Sequence, residues 1–532
     1  MTSHLPALIV LTPLVVALVV PVLAILARVL VRPVAVLSLA ASLAASLASL
    51  QRVLAEGPWS YHFGGWAPPW GIEYVIDPLS GGMAVLVSFF ALLAAFYAPA
   101  YLGVLAQLRE GALGSLFLLL VAGLLGVVVT GDVFNLFVFL EISSLAVYAL
   151  VAAGGNRATV AAFRYMLIGT VGASFYLLGI GYLYAATGTL NMADLAARLP
   201  AALETRVAAV GLALIAAGLG VKVALFPLHG WLPDAYSTAP APVVAFAAAV
   251  QTKVAAYAFF RIFHFVVGPG GPVEPLLRLV GLAAAAGIVA GSLLALAQRD
   301  FWRMLAYSSV AQLGYVVLGL SLGTRLGLYG ALLHILNHAL MKGCLFMVAG
   351  AVRWRTGRQD IAALTGMARK MPLSMGALFV AAVSMIGLPP TGGFFSKWYL
   401  VLGSLEAGAW GYVVVIIVSS LLSAAYFFRV IEQVYLRRAP APESEAGRKP
   451  EEDAGREPEA KAGREQEAGR EQEAGRDQEP EAATAARRRS WELPWPMLVP
   501  ILLLGAGMVV AGLSSGFIIR EVIQFAVPVE PF

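Results

Sequence analysis

A single cysteine, Cys344, occurs in the 532 residues. One thiol excludes an internal disulfide and a cysteine-held cluster, and argues against a redox centre carried by this chain. Charge is also scarce: Asp, Glu, Lys and Arg make up 13% of the residues, the formal net charge is +5, and nothing in it resembles a nucleic-acid footprint. The chain has 6 histidines and no HExxH pair. What is abundant is apolar surface. With 60% hydrophobic residues and a mean hydropathy of +0.81, the long apolar runs must cross a bilayer, because one soluble core cannot use so many. The first run, from Pro6, is too long for a signal-peptide core and has no convincing cleavage site after it, so it counts as a span.

Windows of about 20 apolar residues give roughly fourteen spans. Arginine and lysine alternate between the connections. Arg28 and Arg32, Arg109, Arg157, Arg299 and Arg303, the set from Arg353 to Lys370, and Arg437 and Arg438 fall on one side, which the positive-inside bias places in the cytoplasm. The other connections carry Arg52, Arg198, Arg206, Arg278 and Arg325, several offset by Glu56, Glu73, Asp194 and Glu274. An even span count then leaves both termini outside. Between Arg438 and Trp491 the composition turns to Glu, Arg, Gly, Gln and Pro, with an AGREQE-like hexad at 462–467, 468–473 and 474–479. Such a segment has too few apolar residues to offset ordering entropy, and reads as a charged cytoplasmic insert.

Two spans are interrupted. In the first, Lys222 lies inside an apolar run that Pro227 and Pro233 break; in the second, Gly387-Leu-Pro-Pro-Thr-Gly-Gly393 breaks the run and Lys397 follows. A lysine at membrane depth costs about 2.5–3.5 kcal/mol on insertion scales, so it is expected to be paired, hydrated or functional. Freed backbone groups at such breaks are tolerated only where protein or water covers them. If the seventh and twelfth spans correspond, the chain holds two five-helix repeats, and an odd-numbered repeat must invert in the membrane. The expected fold is therefore an all-α polytopic membrane protein with two inverted five-helix repeats, each containing a broken helix. Its expected divisions are 1–111 (spans one to three), 112–266 and 276–436 (the repeats), 437–490 (the insert) and 491–532 (the last span and tail).

Few ionisable residues lie deep in these spans. Glu141 has apolar neighbours on both sides, and pairing it with Lys222 would lessen the burial cost of both. Lys253 lies mid-span, too far from either end for easy snorkelling. His334, His338 and Lys342 are four apart and share one helix face, where neutral imidazoles both donate and accept. Metal binding by the histidine pair lacks a further ligand nearby. His229, Asp234 and Asp132 sit at helix ends or breaks, where capping or water suffices, and Arg164 is placed to snorkel to the cytoplasmic face.

As a set these motifs resemble the antiporter-like proton-translocating family, which includes the large membrane-arm subunits of respiratory complex I and the D and A subunits of Mrp-type cation/proton antiporters. The residues that carry the likeness are Phe134-Asn-Leu-Phe-Val-Phe-Leu-Glu141, Lys222-Val-Ala-Leu-Phe-Pro-Leu-His-Gly-Trp-Leu-Pro-Asp234, Thr252-Lys253, Asp300-Phe-Trp-Arg303, His334-Ile-Leu-Asn-His338 and Gly387-Leu-Pro-Pro-Thr-Gly-Gly-Phe-Phe-Ser-Lys397. They occur in order over about residues 75–436, and the first of them together with Thr187-Gly-Thr-Leu-Asn-Met-Ala-Asp-Leu195 looks most like the Mrp D subunits. Trp302 stands where the family commonly has a lysine, a change expected to touch a surface contact only.

The resemblance implies a proton relay: Glu141 and Lys222 as the loading pair, Lys253, His334 and His338 as the central axis, and Lys397 as the terminal donor or acceptor. It implies an ion-transporter subunit without enzymatic chemistry or a cofactor of its own, in a prokaryotic cytoplasmic membrane, partnered by other membrane subunits and exchanging protons for Na⁺ or K⁺. The alternatives are a proton-pumping subunit of a complex I-like NADH dehydrogenase or membrane-bound hydrogenase, and a non-conducting structural subunit.

Overall fold

The computed structural model describes residues 4–268, 270–437 and 491–527. Most of the expected insert, 438–490, lies outside the described residues. Helices run in the order α1 (Leu5–Leu26), α2 (Val31–Glu56), α3 (Pro78–Leu102), α4 (Val104–Val129), α5 (Val133–Ala152), α6 (Asn156–Thr187), α7 (Met192–Ala202), α8 (Arg206–Val223) and α9 (Trp231–Thr238). They continue as α10 (Ala241–Val266), α11 (Glu274–Ala297), α12 (Phe301–Ser321), α13 (Arg325–Thr356), α14 (Pro372–Ile386), α15 (Gly392–Glu406), α16 (Trp410–Leu436) and α17 (Trp495–Leu513). A small antiparallel hairpin, β1 (Trp59–His62) with β2 (Glu73–Ile76), lies between α2 and α3 and pairs Trp59 with Ile76 and His62 with Glu73.

Among the described residues 13 helices are long and apolar enough to cross a membrane. The sequence count of about fourteen differs because the expected span 372–404 is two 15-residue helices, α14 and α15, with a turn between them. The expected span 207–230 likewise stops at Val223.

Polar residues at the span ends start the helices. Asp77, Asp132, Thr205, Asp300 and Thr324 each accept a bond from a backbone N–H of the first turn of α3, α5, α8, α12 and α13, satisfying donors that would otherwise be orphaned. Burial pushes the Asp132 and Asp300 carboxyls up, outweighing those capping bonds.

The core sits around α10, α13 and α12, whose apolar windows are 100%, 94% and 89% buried, against 28% for α1 and 33% for α2 and α16. The outer helices thus lie at the periphery of the chain, and the charged residues inside α10 and α13 are enclosed by protein. At 32 residues, α13 is about 48 Å long, more than enough to cross a bilayer core. In α10 the backbone widens into π-type turns at Ala247–Gln251 and Arg261–Val266, a feature common where helices carry function.

The two breaks differ in construction. At the end of α8, Ala224 takes φ +60°, the one positive φ of a non-glycine residue among those described. Val221's carbonyl accepts from the Trp231 indole N–H at 2.9 Å and from the Ala224 N–H at 3.1 Å, so the freed helix end stays satisfied. At the end of α14, Gly387 takes φ +91°, and α15 then enters against α13 and α14. A Cβ on Gly392 would lie 2.2 Å from Asn337 Oδ1 and force that side chain to shift, and one on Gly393 would lie 1.9 Å from the Ser384 carbonyl oxygen, so Gly393 needs glycine.

Candidate proton-transfer site

The break after α8 carries Lys222 on its last turn, and the middle of α5 faces it. Lys222 Nζ donates to Glu141 Oε1 at 2.9 Å and to Ser144 Oγ at 2.8 Å. The lysine side chain is 8% exposed and the carboxylate 23%, so the pair is enclosed on the lysine side and more open on the other. Ser144, one turn after Glu141, is a partner that an isolated serine in an apolar helix gives little signal for.

Lys253 is fully buried in α10, just beyond the widened turn. Its Nζ donates to the Ala248 carbonyl of that turn and, at 3.4 Å, to its neighbour Thr252 Oγ1; no carboxylate among the described residues meets it. Lys342 repeats the pattern in α13. It is fully buried and donates to the Leu305 carbonyl at 2.8 Å and Ser308 Oγ at 2.6 Å.

His334 and His338 stack on successive turns with ring centroids 5.9 Å apart. His334 bonds at both nitrogens, Nδ1 to Ser396 Oγ at 2.8 Å and Nε2 to Gln312 Oε1 at 2.9 Å. That engagement leaves it no free lone pair for a metal. His338 is fully buried, and neither of its ring nitrogens has a hydrogen-bond partner among the described residues. Lys253 and Lys342 both lie within electrostatic reach of it, while His334 is within reach of Lys253 and Lys397.

At the second break, Lys397 Nζ donates to the Met385 carbonyl at 2.9 Å, the Ile386 carbonyl at 3.0 Å and Ser420 Oγ at 3.2 Å, and lies 5.0 Å from the Tyr315 ring centroid. The C-terminal end of α14, with its partial negative charge, thus takes the place that Glu141 holds for Lys222. The broken helices present two lysines, one paired with an acid and one with helix-end carbonyls.

A family model described as NADH:quinone oxidoreductase/Mrp antiporter, TM, matches residues 130–423, which span this whole set. The chain belongs to this family. It is 56% identical to NADH-quinone oxidoreductase subunit N of Desulforudis audaxviator over 99% of both chains. It is 34% identical to the D subunit of the Na(+)/H(+) antiporter of Alkalihalophilus pseudofirmus over 64% of this chain and 69% of that one. Among solved structures it matches a chain of the membrane-bound sulfane sulfur reductase, an archaeal respiratory membrane complex, with a TM-score of 0.84 and 30% identity over 98% of this chain and 97% of that chain. The chain is therefore a multi-pass membrane subunit of the antiporter and complex I kind, and its structural neighbours work inside multisubunit complexes.

Within this family member, the residues singled out at helix ends resolve differently. Asp132 caps α5, accepting from Asn135 N–H at 2.7 Å. Asp234 does more than end a turn: it accepts from Arg303 Nη2 at 2.9 Å and lies 3.4 Å from Arg164 Nη1, tying α9 to α12 and α6. Arg164 therefore has an acidic partner as well as its exposure, and the snorkelling expectation is incomplete. His229 stacks on Phe226 at 5.3 Å. Trp302 is 1% exposed and packs against Phe346 with Arg353 over its ring at 5.4 Å, so the surface role expected for it is wrong; the lysine position is filled by a buried aromatic. Sequence reasoning also missed Arg261. This residue, one helical turn after Tyr257, pairs with Asp77 across 184 positions and donates to Tyr257 Oη at 2.7 Å. Only the depth of Arg261 in an apolar run could have flagged it.

Proposed function

We propose that this chain moves protons through the membrane as one subunit of a multisubunit complex, along Glu141 and Lys222, Lys253, His338 and His334, and Lys397. The observation that carries the reading is the pair at 2.9 Å between Lys222 and Glu141 at a helix break, continued by amines and imidazoles that have no acid beside them among the described residues. Lys222 needs its carboxylate. When the pair opens, the ammonium loses its counter-charge in a poorly solvated place, and the proton passes inward. Lys253 and Lys342 both lie within electrostatic reach of His338, so cations there repel one another. The orphan nitrogens of His338 suit a water that links α10 to α13. A potential of 100 mV contributes about 2.3 kcal/mol per charge moved, enough to bias each shift.

The two breaks also support the inverted-repeat reading, with 112–266 and 276–436 as the repeat units and a lysine at the broken helix of each. An even number of crossings, counting α14 and α15 as one, keeps both termini outside and the basic connections in the cytoplasm of a prokaryotic inner membrane.

Two energy sources have support. Full-length 56% identity to a protein named NADH-quinone oxidoreductase subunit N favours a pump driven by redox chemistry in partner subunits. Likeness to the antiporter D subunits supports proton exchange for Na⁺ or K⁺, the reading that the motifs put first. Proteoliposomes holding the purified assembly separate them. Quinone-linked electron transfer that acidifies one side supports the pump; dissipation of a pH gradient on adding Na⁺ or K⁺ supports the antiporter. In either case Lys222→Ala and Glu141→Ala abolish proton movement in an assembled complex. Intact movement in both variants overturns the relay and leaves the structural-subunit alternative.

A further inference from the structure

A groove of about 370 Å³ lies between α2, α3, α4 and α10, none of the buried lysines lines it, and its wall is apolar except for Arg32 and Glu110 at one end. That polar end coincides with the helix termini: α2 starts at Val31, α3 ends at Leu102, and Glu110 lies near the start of α4. From there the wall runs inward past Ala35 to Leu39 on α2 and past Leu113 to Leu118 on α4, a depth of about 12 Å at 1.5 Å per residue. The groove is thus apolar at membrane depth and charged at the interface, the order of polarity of a membrane amphiphile.

Charge decides which amphiphile. Arg32 Nε meets Glu110 Oε1, and Arg28 Nε stands 3.8 Å from the other carboxylate oxygen, so two guanidinium groups share one acid. Among the described residues of this cluster one positive charge is in excess. Both arginines stay about half exposed, at 52% and 46%, with most of their N–H donors unspent. A volume of about 370 Å³ is the lower range of small-ligand sites and suits a single hydrocarbon chain.

We propose that this groove binds one anionic phospholipid of the surrounding leaflet, its acyl chain between α2 and α4 and its phosphate on Arg28 and Arg32. The lipid seals the seam between α2 and the helices α3, α4 and α10. Native mass spectrometry of the intact assembly, titrated with phosphatidylglycerol or phosphatidylethanolamine, tests it. The wild type retains one phosphatidylglycerol per chain in preference to phosphatidylethanolamine. Arg28→Gln, which leaves the Arg32–Glu110 pair in place, lowers retention about fivefold, the effect of one basic residue at an anionic surface. Ala35→Phe fills the groove with every charge kept and abolishes retention. Equal retention of the two lipids by the wild type needs no variant to fold and overturns the proposal. So does a groove occupied by an isoprenoid quinone or by a segment of a neighbouring subunit, or an Ala35→Phe assembly that holds the lipid as the wild type does.

Discussion

Replacing Glu141 by Gln keeps the shape of the side chain and removes its charge, leaving Lys222 with Ser144 Oγ at 2.8 Å and an amide in place of the carboxylate. At 2.9 Å and an effective dielectric of about 20, the attraction lost is about 6 kcal/mol before screening. Glu141 is 23% exposed, so water screens part of this, and the net cost of breaking the pair falls near about 3 kcal/mol, the lower end for buried pairs. Lys222→Met has a similar cost from the other side, since it strands the carboxylate. The double variant has no stranded charge, and apolar or neutral replacements for a buried pair are often as stable as the pair. The expected outcome is a split between two readouts. Thermal stability of the purified assembly falls in each single variant and largely recovers in the double, while proton movement in vesicles falls at least about tenfold in all three, equivalent to about 1.4 kcal/mol or more. If the double variant regains both stability and transport, the pair is a structural brace and the reasoning fails.

Gly393→Ala places a Cβ 1.9 Å from the Ser384 carbonyl oxygen, a backbone atom that cannot move aside, so α15 cannot dock on α14 and the assembled complex is lost. Gly411→Ala, whose Cβ meets nothing within 4 Å, assembles normally; pull-down of partner subunits reads both. Trp231→Phe keeps a ring to stack on Tyr165 but removes the indole N–H from Val221's carbonyl. Because Ala224 N–H still reaches that carbonyl, the loss is modest, about 1–2 kcal/mol, seen as a lower thermal midpoint with slowed, measurable transport.

The chain's sequence carried the outline of this site because its signals are rare events in hydrocarbon. Lys222 beside Pro227, Lys397 after Pro389 and Pro390, and Glu141 and Lys253 amid apolar residues are each expensive, and few other causes produce them. The partners were not legible. Ser144, Ser396 and Gln312 are small or neutral groups that cost little in a helix, so nothing in the pattern separates those that bond a relay residue from the rest. Long-range pairs were hidden for a different reason: Arg303 and Asp234 look like ordinary interfacial charges, and the depth of Arg261 does not point to Asp77, until packing brings their helices together. Trp302 was misplaced because the lysine common at its position in the family implies a surface contact, whereas here the start of α12 is covered by α13, with Phe346 beside the ring and Arg353 over it. The span count slipped at 372–404, where apolar content continues through a turn that hydropathy does not register.

Lys253 offers the most direct test, because it touches no acid among the described residues and its loss disturbs no ion pair there. Lys253→Met substitutes an apolar chain of similar length for a fully buried amine, so the complex should assemble at least as well as the wild type. Proton movement by this variant, measured in proteoliposomes of the whole assembly, is predicted to fall to the background of empty vesicles. Movement at the wild-type rate would contradict the relay.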